Sequence, residues 1–459
     1  MKIFLSLFLI SSIFSYIIFP LKKDKLTMPS TNNQTDIFST LRESKLFITL
    51  NISSKKINIK TFLIQSKTEL IISGHNIKNH KYDESESLTY NSTNNKKVSF
   101  QYGMYKEGIL SKDNFNILKD NNELITSNIN FILATESSTT YDIIREGEIG
   151  LHLPLLQSIP EYNLIMSLKK NNVTQSYNWY LDFDNFEKGE GKMVVDGFPH
   201  TLHNNKYLEG NFVKINAINN NYAVVWGLIF SNIYYGEQNL KINNEEKAYF
   251  EFDYGIITAP KDIGEILESL FFAEYISQNK CFKQKYGVYG NYFFYCKKDE
   301  KLNIENFESI YFTSTDLNII FELDYQDLFY SDDKYVYLMI EFSKNSKIWT
   351  FGEIFLKKYY IVFNQGEKTL GYYTKMEKSK ETKNKNNDNN NSSYNKLVFI
   401  VLVIIFIIVI ISFGIYIYKN KKPRKKKANE LDDEYNYEAR FDELEKNKNG
   451  FLNDSNVIN

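Results

Sequence analysis

The chain has 459 residues, with 55 Lys plus Arg against 56 Asp plus Glu and a formal net charge of -1. That balance excludes a nucleic-acid binder held by a basic field, and only 7 prolines and 20 glycines exclude a collagen-like or Pro/Gly-rich linker protein. Cys 2 and His 5 are too few for an iron-sulfur cluster, a Cys-rich zinc module or a metal cage, so neither metal nor cofactor is expected.

At the N-terminus Lys2 precedes an apolar run over 3–19, ended by Pro20 and the charged Lys22, Lys23, Asp24 and Lys25. Residues 1–19 read as a secretory signal peptide, with a signal anchor as the alternative reading of the same run. Short apolar runs follow at 45–52, 57–64, 70–72, 98–102, 129–134, 192–195, 212–218, 223–233, 248–252, 335–342 and 359–363. Being β-branched and aromatic, and bounded by Asn, Lys and Gly, they are predicted strands. An aromatic content of 16%, from Tyr 34, Phe 35 and Trp 3, favours the same state. The clearest helical spacing lies at 261–276, where Ile263, Ile266, Leu267 and Leu270 recur behind Pro260. The predicted class is all-β, with a body over 44–376 suited to two packed lobes.

After the body, 377–395 is polar and without apolar periodicity, which predicts a disordered stalk. The run LVFIVLVIIFIIVIISFGIYIY at 397–418 carries no charge and reaches roughly 33 Å as a helix, enough for a hydrocarbon core of ~30 Å. A transmembrane helix is therefore expected over 396–418. Lys419, Lys421, Lys422, Arg424, Lys425, Lys426 and Lys427 follow at once and hold the 419–459 tail on the cytoplasmic side. The expected topology is type I single pass, on a secretory-pathway or cell-surface membrane, with the body lumenal or extracellular. Sequons at Asn33, Asn51, Asn91 and Asn172 fit a glycosylated lumenal body.

No GxSxG elbow, GxxxxGK loop, HExxH or GxGxxG occurs. His200 and His203 stand three apart behind Pro199 without a third ligand nearby, and read as loop residues rather than a metal site. A set of ordered local patterns carries more information. WTFGEIFLKKYYIVF at 349–363, with Gly371 after it, AYFEFDYGIITAP at 248–260 and FLIQSKTELII at 62–72 are the strongest. Val98 to Tyr102 with Gly103, Gly108 and Asp113, EGEIGL at 146–151, Gly191 to Gly197 and Phe19-Pro20-Leu21 add to them. Together they resemble the pepsin-like aspartic peptidase family: its C-terminal WxLGDxFLRxYYxVFD segment, its two active-site turns, its flap, its DGILGL strand, the strand opening its second lobe and the start of its pro-segment. The resemblance implies a bilobal β fold, with a pro-like segment at 20–43, lobes at 44–185 and 186–376, a flap at Tyr102 and Gly103, and a disulfide between Cys281 and Cys296, which an oxidising lumen also favours.

In that family each lobe contributes one aspartate of a DTG turn, and the two carboxylates share one proton while they activate water. Here the first aspartate position is Ile64, followed by Gln65 and Ser66, and the second triplet is Glu251, Phe252 and Asp253. An isoleucine cannot exchange a proton with water or carbonyl, and Glu69, the nearest acid, lies in the next strand. Losing one general acid-base group removes roughly 10²- to 10⁴-fold. Glu251 and Asp253 alternate along a predicted strand, either as a surviving acid pair on the cleft floor or as a solvated strand end. Lys67 is a candidate partner for Glu251 across the lobe junction, and Tyr102 either lines a groove or simply packs.

The expected function is that of a membrane-anchored pepsin-like homologue without catalysis, whose interlobe cleft binds a peptide or protein ligand. The alternatives are an active aspartic endopeptidase with a Glu-containing site, and a structural surface glycoprotein.

Overall fold

β-branched and aromatic residues dominate the body, and the strands they form sort into three large sheets. The computed structural model describes residues 15–374, apart from 25–32, 79, 101–102, 139–144, 155–157, 204–205, 220–222, 241–244, 288, 299–301 and 315–318. These belong to the first of two units, Met1–Ser379. Among them no helix is long and apolar enough to cross a membrane; the expected stalk, span and tail, and residues 1–14, lie outside the described residues.

In the first lobe eight strands pair in the order Lys22–Lys23, Leu46–Ile52, Ile57–Ile64, Gly147–Gly150, Leu70–Ser73, Leu124–Ser137, Tyr105–Leu118 and Asn91–Ser99. In the second lobe a nine-stranded sheet runs Gly227–Phe230, Glu246–Phe250, Trp349–Phe351, Ile257–Pro260, Ile340–Ser343, Asn291–Lys297, Tyr335–Leu338 and Phe329–Ser331, with Cys281–Tyr286 paired to Asn291–Lys297. The lobes repeat one motif. In each, a strand enters a turn, the next strand leaves it, and a later strand lies between the two: Gly147–Gly150 parallel to Ile57–Ile64, and Trp349–Phe351 parallel to Glu246–Phe250. A six-stranded antiparallel sheet draws on both halves of the chain, in the order Ile17–Pro20, Lys192–Val195, Asn178–Asp182, Val362–Asn364, Thr369–Tyr373 and Phe212–Asn216.

One continuous apolar core runs through lobes and sheet, with Trp179, Trp226 and Trp349 fully buried in it. Trp179 stacks on Phe363 at 4.5 Å and meets Phe252 edge-on at 5.1 Å. The Trp226 indole N–H donates to the Leu151 carbonyl at 2.7 Å, and the Gln365 amide to that of His152 at 2.7 Å, so each lobe is tied to the other.

Three differences from the sequence reading have physical causes. The boundary placed after residue 19 cuts through a strand, because Ile17–Pro20 lies antiparallel to Lys192–Val195 with Ile17 and Phe19 buried and Pro20 exposed at the edge. The predicted strand at 248–252 ends at Phe250, which leaves Glu251 and Asp253 on a turn. Tyr105–Leu118 is a strand of 14 residues that the apolar pattern missed, since its buried positions include Ser111 and Asp113. Asp113 is accommodated by hydroxyls, accepting from Tyr82 at 2.7 Å and Thr89 at 2.5 Å.

Candidate functional site

Two turns meet where the lobes join. The first, at 65–69, links Ile57–Ile64 to Leu70–Ser73 and is held from behind by the Gly147–Gly150 strand. Gly150 N–H donates to the Glu69 carbonyl, and the buried Asn163 amide donates to the carbonyls of Thr68 at 2.7 Å and Gly150 at 3.1 Å. A Cβ on Gly150 would come within 2.6 Å of the Glu69 nitrogen, so the approach of strand to turn requires glycine. The second turn follows Phe250 and is held in the same way. Glu251 N–H donates to the Phe351 carbonyl and Glu353 N–H to that of Tyr254, while a Cβ on Gly352 would collide with the Tyr254 and Ile256 carbonyls.

Ile64 is 4% exposed and brings no ionisable group to the junction. On the other side Glu251 and Asp253 stand two residues apart on the second turn, where the Asp253 carbonyl accepts the Ser44 N–H at 3.0 Å. Both acids therefore come from one turn of one lobe. Burial, then the Asp253 charge and a hydrogen bond to Asp253, push Glu251 up to about 8, against a smaller opposing pull from Arg42. Burial also raises Asp253, although Arg145 and the Gln65 amide favour its charged form.

Lys67 does not pair with Glu251. Its ammonium bonds Glu148 at 2.5 Å, on the Gly147–Gly150 strand of its own lobe, because the turn directs it under the flap hairpin. There it faces the rings of Tyr105 and Phe100 at 5.1 and 5.5 Å and approaches Gly103, whose φ of +105 keeps a Cβ away. Arg145 holds the other Glu148 oxygen at 3.2 Å. Tyr102 lies outside the described residues.

The sequence reading missed the arm that borders the second turn. Helix Gln34–Arg42, N-capped by Asn33, packs Phe38 on Phe293 at 3.9 Å. Its last residue sends a guanidinium to Glu341 at 2.8 Å and to the Tyr254 hydroxyl at 2.8 Å, over the Tyr254 ring. Gly255 N–H donates to the Arg42 carbonyl and Ser44 N–H to that of Asp253. An arginine ending an amphipathic helix was a readable signal, but its buried partner Glu341 is 299 residues away.

Cys281 and Cys296 are bonded, across a directly facing pair of their hairpin. His200 sits against the Tyr373 hydroxyl at 2.8 Å and His203 against buried Asp182 at 2.9 Å. Asp182, Asp184 and His203 form a group with ligand-like spacing, as do His75, Asp83 and Glu84. In the first, Tyr360 and Lys206 already engage the carboxylates, and neither group lies at the lobe junction. A cavity of about 710 Å³ lies between the arm at Leu21 to Asp24 and Glu353 to Lys357, with Gly255 of the second turn in its wall.

The family model for eukaryotic aspartyl proteases matches residues 61–374, a span that holds both turns, the flap hairpin and most of the central sheet. No curated protein matches the chain. Two lobes with one repeated strand-turn-strand motif, turns meeting across a shared sheet and this match agree with one another: the chain belongs to the eukaryotic aspartyl protease family, the pepsin-like aspartic peptidases.

Proposed function

We propose that this chain is a membrane-anchored pepsin-like protein that binds extended peptides in its interlobe cleft and does not hydrolyse them. The observation that carries the reading is the source of the acids at the junction. Hydrolysis by this fold needs a carboxylate from each lobe around one water, whereas Ile64 stands in the first turn and Glu251 and Asp253 share the second. Of the first-lobe acids, Glu148 lies between Lys67 and Arg145, and Glu69, which falls on the first turn rather than in the next strand, accepts the Ile159 N–H at 3.2 Å.

The test is incubation of the full-length chain with a library of capped peptides between about pH 3 and pH 7, the range in which carboxylate dyads operate. Retention of peptides without new termini is expected. Turnover that disappears in Glu251→Gln would overturn the reading. It would favour the second one, an atypical endopeptidase, for which the proton held near Glu251 is the supporting feature.

The anchor is proposed from the uncharged run at 397–418 and its basic flank, which leave the body lumenal or extracellular and the tail at 419–459 cytoplasmic. Protease added to sealed vesicles with the cytosolic face outward should digest the tail and spare the body; the reverse pattern would refute this topology.

A further inference from the structure

We propose that His75, Asp83 and Glu84 form a site for a divalent transition-metal ion, zinc above all, which staples the two ends of the segment at 74–86. The site lies away from the lobe junction and is independent of whether the cleft binds peptide.

The segment leaves strand Leu70–Ser73 and leads into Asn91–Ser99, the edge strand of the flap hairpin. Both of its ends are anchored to the body. Gly74 N–H donates to the Ala134 carbonyl at 3.0 Å and Ile77 N–H to that of Gly74 at 2.9 Å, so a turn fixed on the Leu124–Ser137 strand carries His75. At the other end Tyr82 is fully buried with its hydroxyl on Asp113 at 2.7 Å, which holds Asp83 and Glu84 just behind it. His75 Nδ1 then lies 2.5 Å from Glu84 Oε1, and one ligand atom from each of the three residues falls within 4.8 Å of the others. An ion at about 2.0–2.2 Å from nitrogen and oxygen donors needs separations of that order. Small rotations of an exposed His75 and half-buried Asp83 and Glu84 provide them.

Charge separates this group from the other cluster with ligand-like spacing. There, Lys206 and Tyr360 already engage Asp184 and Asp182. Here no lysine or arginine among the described residues bonds Asp83 or Glu84, since Lys55 is on Glu86 and Lys81 on Glu146. The Glu84 carboxylate is engaged by His75 alone, through the ring at Oε1 and the backbone N–H at Oε2, 3.4 Å away. Asp83 gives Oδ1 to the Ser85 N–H at 3.0 Å and the Ser85 hydroxyl at 2.6 Å, and its second oxygen has no partner among the described residues. Two carboxylates thus face one imidazole, an excess of negative charge that a divalent cation balances.

One imidazole nitrogen with two carboxylate oxygens suits zinc, cobalt or nickel, whereas magnesium and calcium favour oxygen donors throughout. Three protein ligands leave the fourth tetrahedral position to water, on the exposed side of His75. The expectation that five histidines are too few for a metal counted residues and not their placement: a local turn brings His75 onto Glu84, nine residues on. Bound there, the ion ties the turn at 74–77 to the short helix Glu84–Glu86 and stiffens the root of the flap hairpin.

Calorimetric titration of zinc chloride into the full-length chain, stripped with chelator and held in detergent at neutral pH, tests the site. Saturable binding is expected in the parent chain. His75→Ala and Glu84→Gln should each weaken it by at least the roughly 10- to 100-fold that loss of an outer partner of a metal site costs, while His203→Ala, in the other cluster, should keep the parent affinity. Because His75 is exposed, metal-free His75→Ala should melt with the parent chain, which separates loss of a ligand from loss of fold. Cobalt(II) gives a second readout that needs no variant: visible d–d bands of a low-symmetry nitrogen and oxygen site should appear in the parent chain and vanish on adding zinc. Absence of saturable zinc binding, affinity that His75→Ala leaves unchanged, or displacement of zinc by equimolar magnesium would overturn the proposal.

Discussion

At the scale of single residues, Ile64 and Glu251 decide the chemistry in opposite ways. Ile64 is packed at 4% exposure, so an acid there meets an apolar site as well as altered flanking residues. Ile64→Asp is expected to lower stability by about 1–3 kcal/mol, the penalty of a buried polar group without a partner, and to restore no peptide hydrolysis; denaturant melts and an acid-pH digestion check the two halves. Glu251 binds its proton at about 8 when folded, against the ordinary 4.5. Below pH 4.5 folded and unfolded chains both hold that proton and its contribution to stability is complete. As pH rises toward 8 the unfolded chain has released it and the folded chain has not, so stability falls by at most about 1.4 kcal/mol per unit. Glu251→Gln should lack this slope, gaining on the parent chain between weakly acidic and neutral pH in melts taken across that range. The Ile64 substitution was legible in the sequence, because the turn pattern places it. The pairing of Lys67 with Glu148 was not, since it depends on how the first turn meets the strand behind it.

Among the elements, the hairpin of Cys281–Tyr286 and Asn291–Lys297 and the strand Leu46–Ile52 make separate predictions. The bridge between Cys281 and Cys296 closes a sequence separation of 15. Replacing both cysteines by serine should cost about 3 kcal/mol in the chain-entropy account, and thiol labelling of the unfolded, unreduced protein should find no reactive cysteine. Of the sequons at Asn33, Asn51, Asn91 and Asn172, three offer a glycan room. Asn172 is an exposed turn residue with φ +55, Asn91 is exposed on its strand, and Asn33 caps a helix through its oxygen, leaving its nitrogen unused in that cap. Asn51 differs: its amide donates to the Lys56 carbonyl at 3.1 Å and to Asn58 at 2.9 Å, and its oxygen accepts from Asn116 at 2.9 Å. Glycopeptide mapping of protein from a eukaryotic secretory host is expected to find Asn172 occupied and Asn51 bare. Sequence spacing alone ranked these four asparagines equally, because an asparagine ladder across strands forms only in the folded sheet.

For the whole molecule, the arm at 15–44 is the part whose role changed most between sequence and structure. Ile17–Pro20 is the edge strand of the six-stranded sheet, Lys23 bonds both oxygens of buried Glu353 at 2.9 and 3.0 Å, and Ser44 bonds the same carboxylate at 2.7 Å. Processing after residue 19 would strip three residues from that strand and uncover Lys192–Val195. N-terminal sequencing of the mature protein should therefore find a start upstream of Ile17. A start at Pro20 in a protein with undiminished melting temperature would refute this role for the arm.

The sequence by itself determined the class of fold and the family, since alternation and turn residues set strands locally and the segment at 349–363 carries a pattern too long to arise by chance. It also shows that Ile64, the residue entering the first turn, carries no ionisable group, because the identity of a side chain is a property of one position. Only the tertiary structure decided that Lys67 serves Glu148, that Arg42 reaches Glu341, and that Ser44 N–H meets the Asp253 carbonyl. Those contacts join segments from both lobes and the arm, and the burial that shifts the acids exists only once the lobes have closed upon each other. Local pattern fixes which face of a strand is apolar; it holds no information about which charge another segment, hundreds of residues away, will bring to the same buried place.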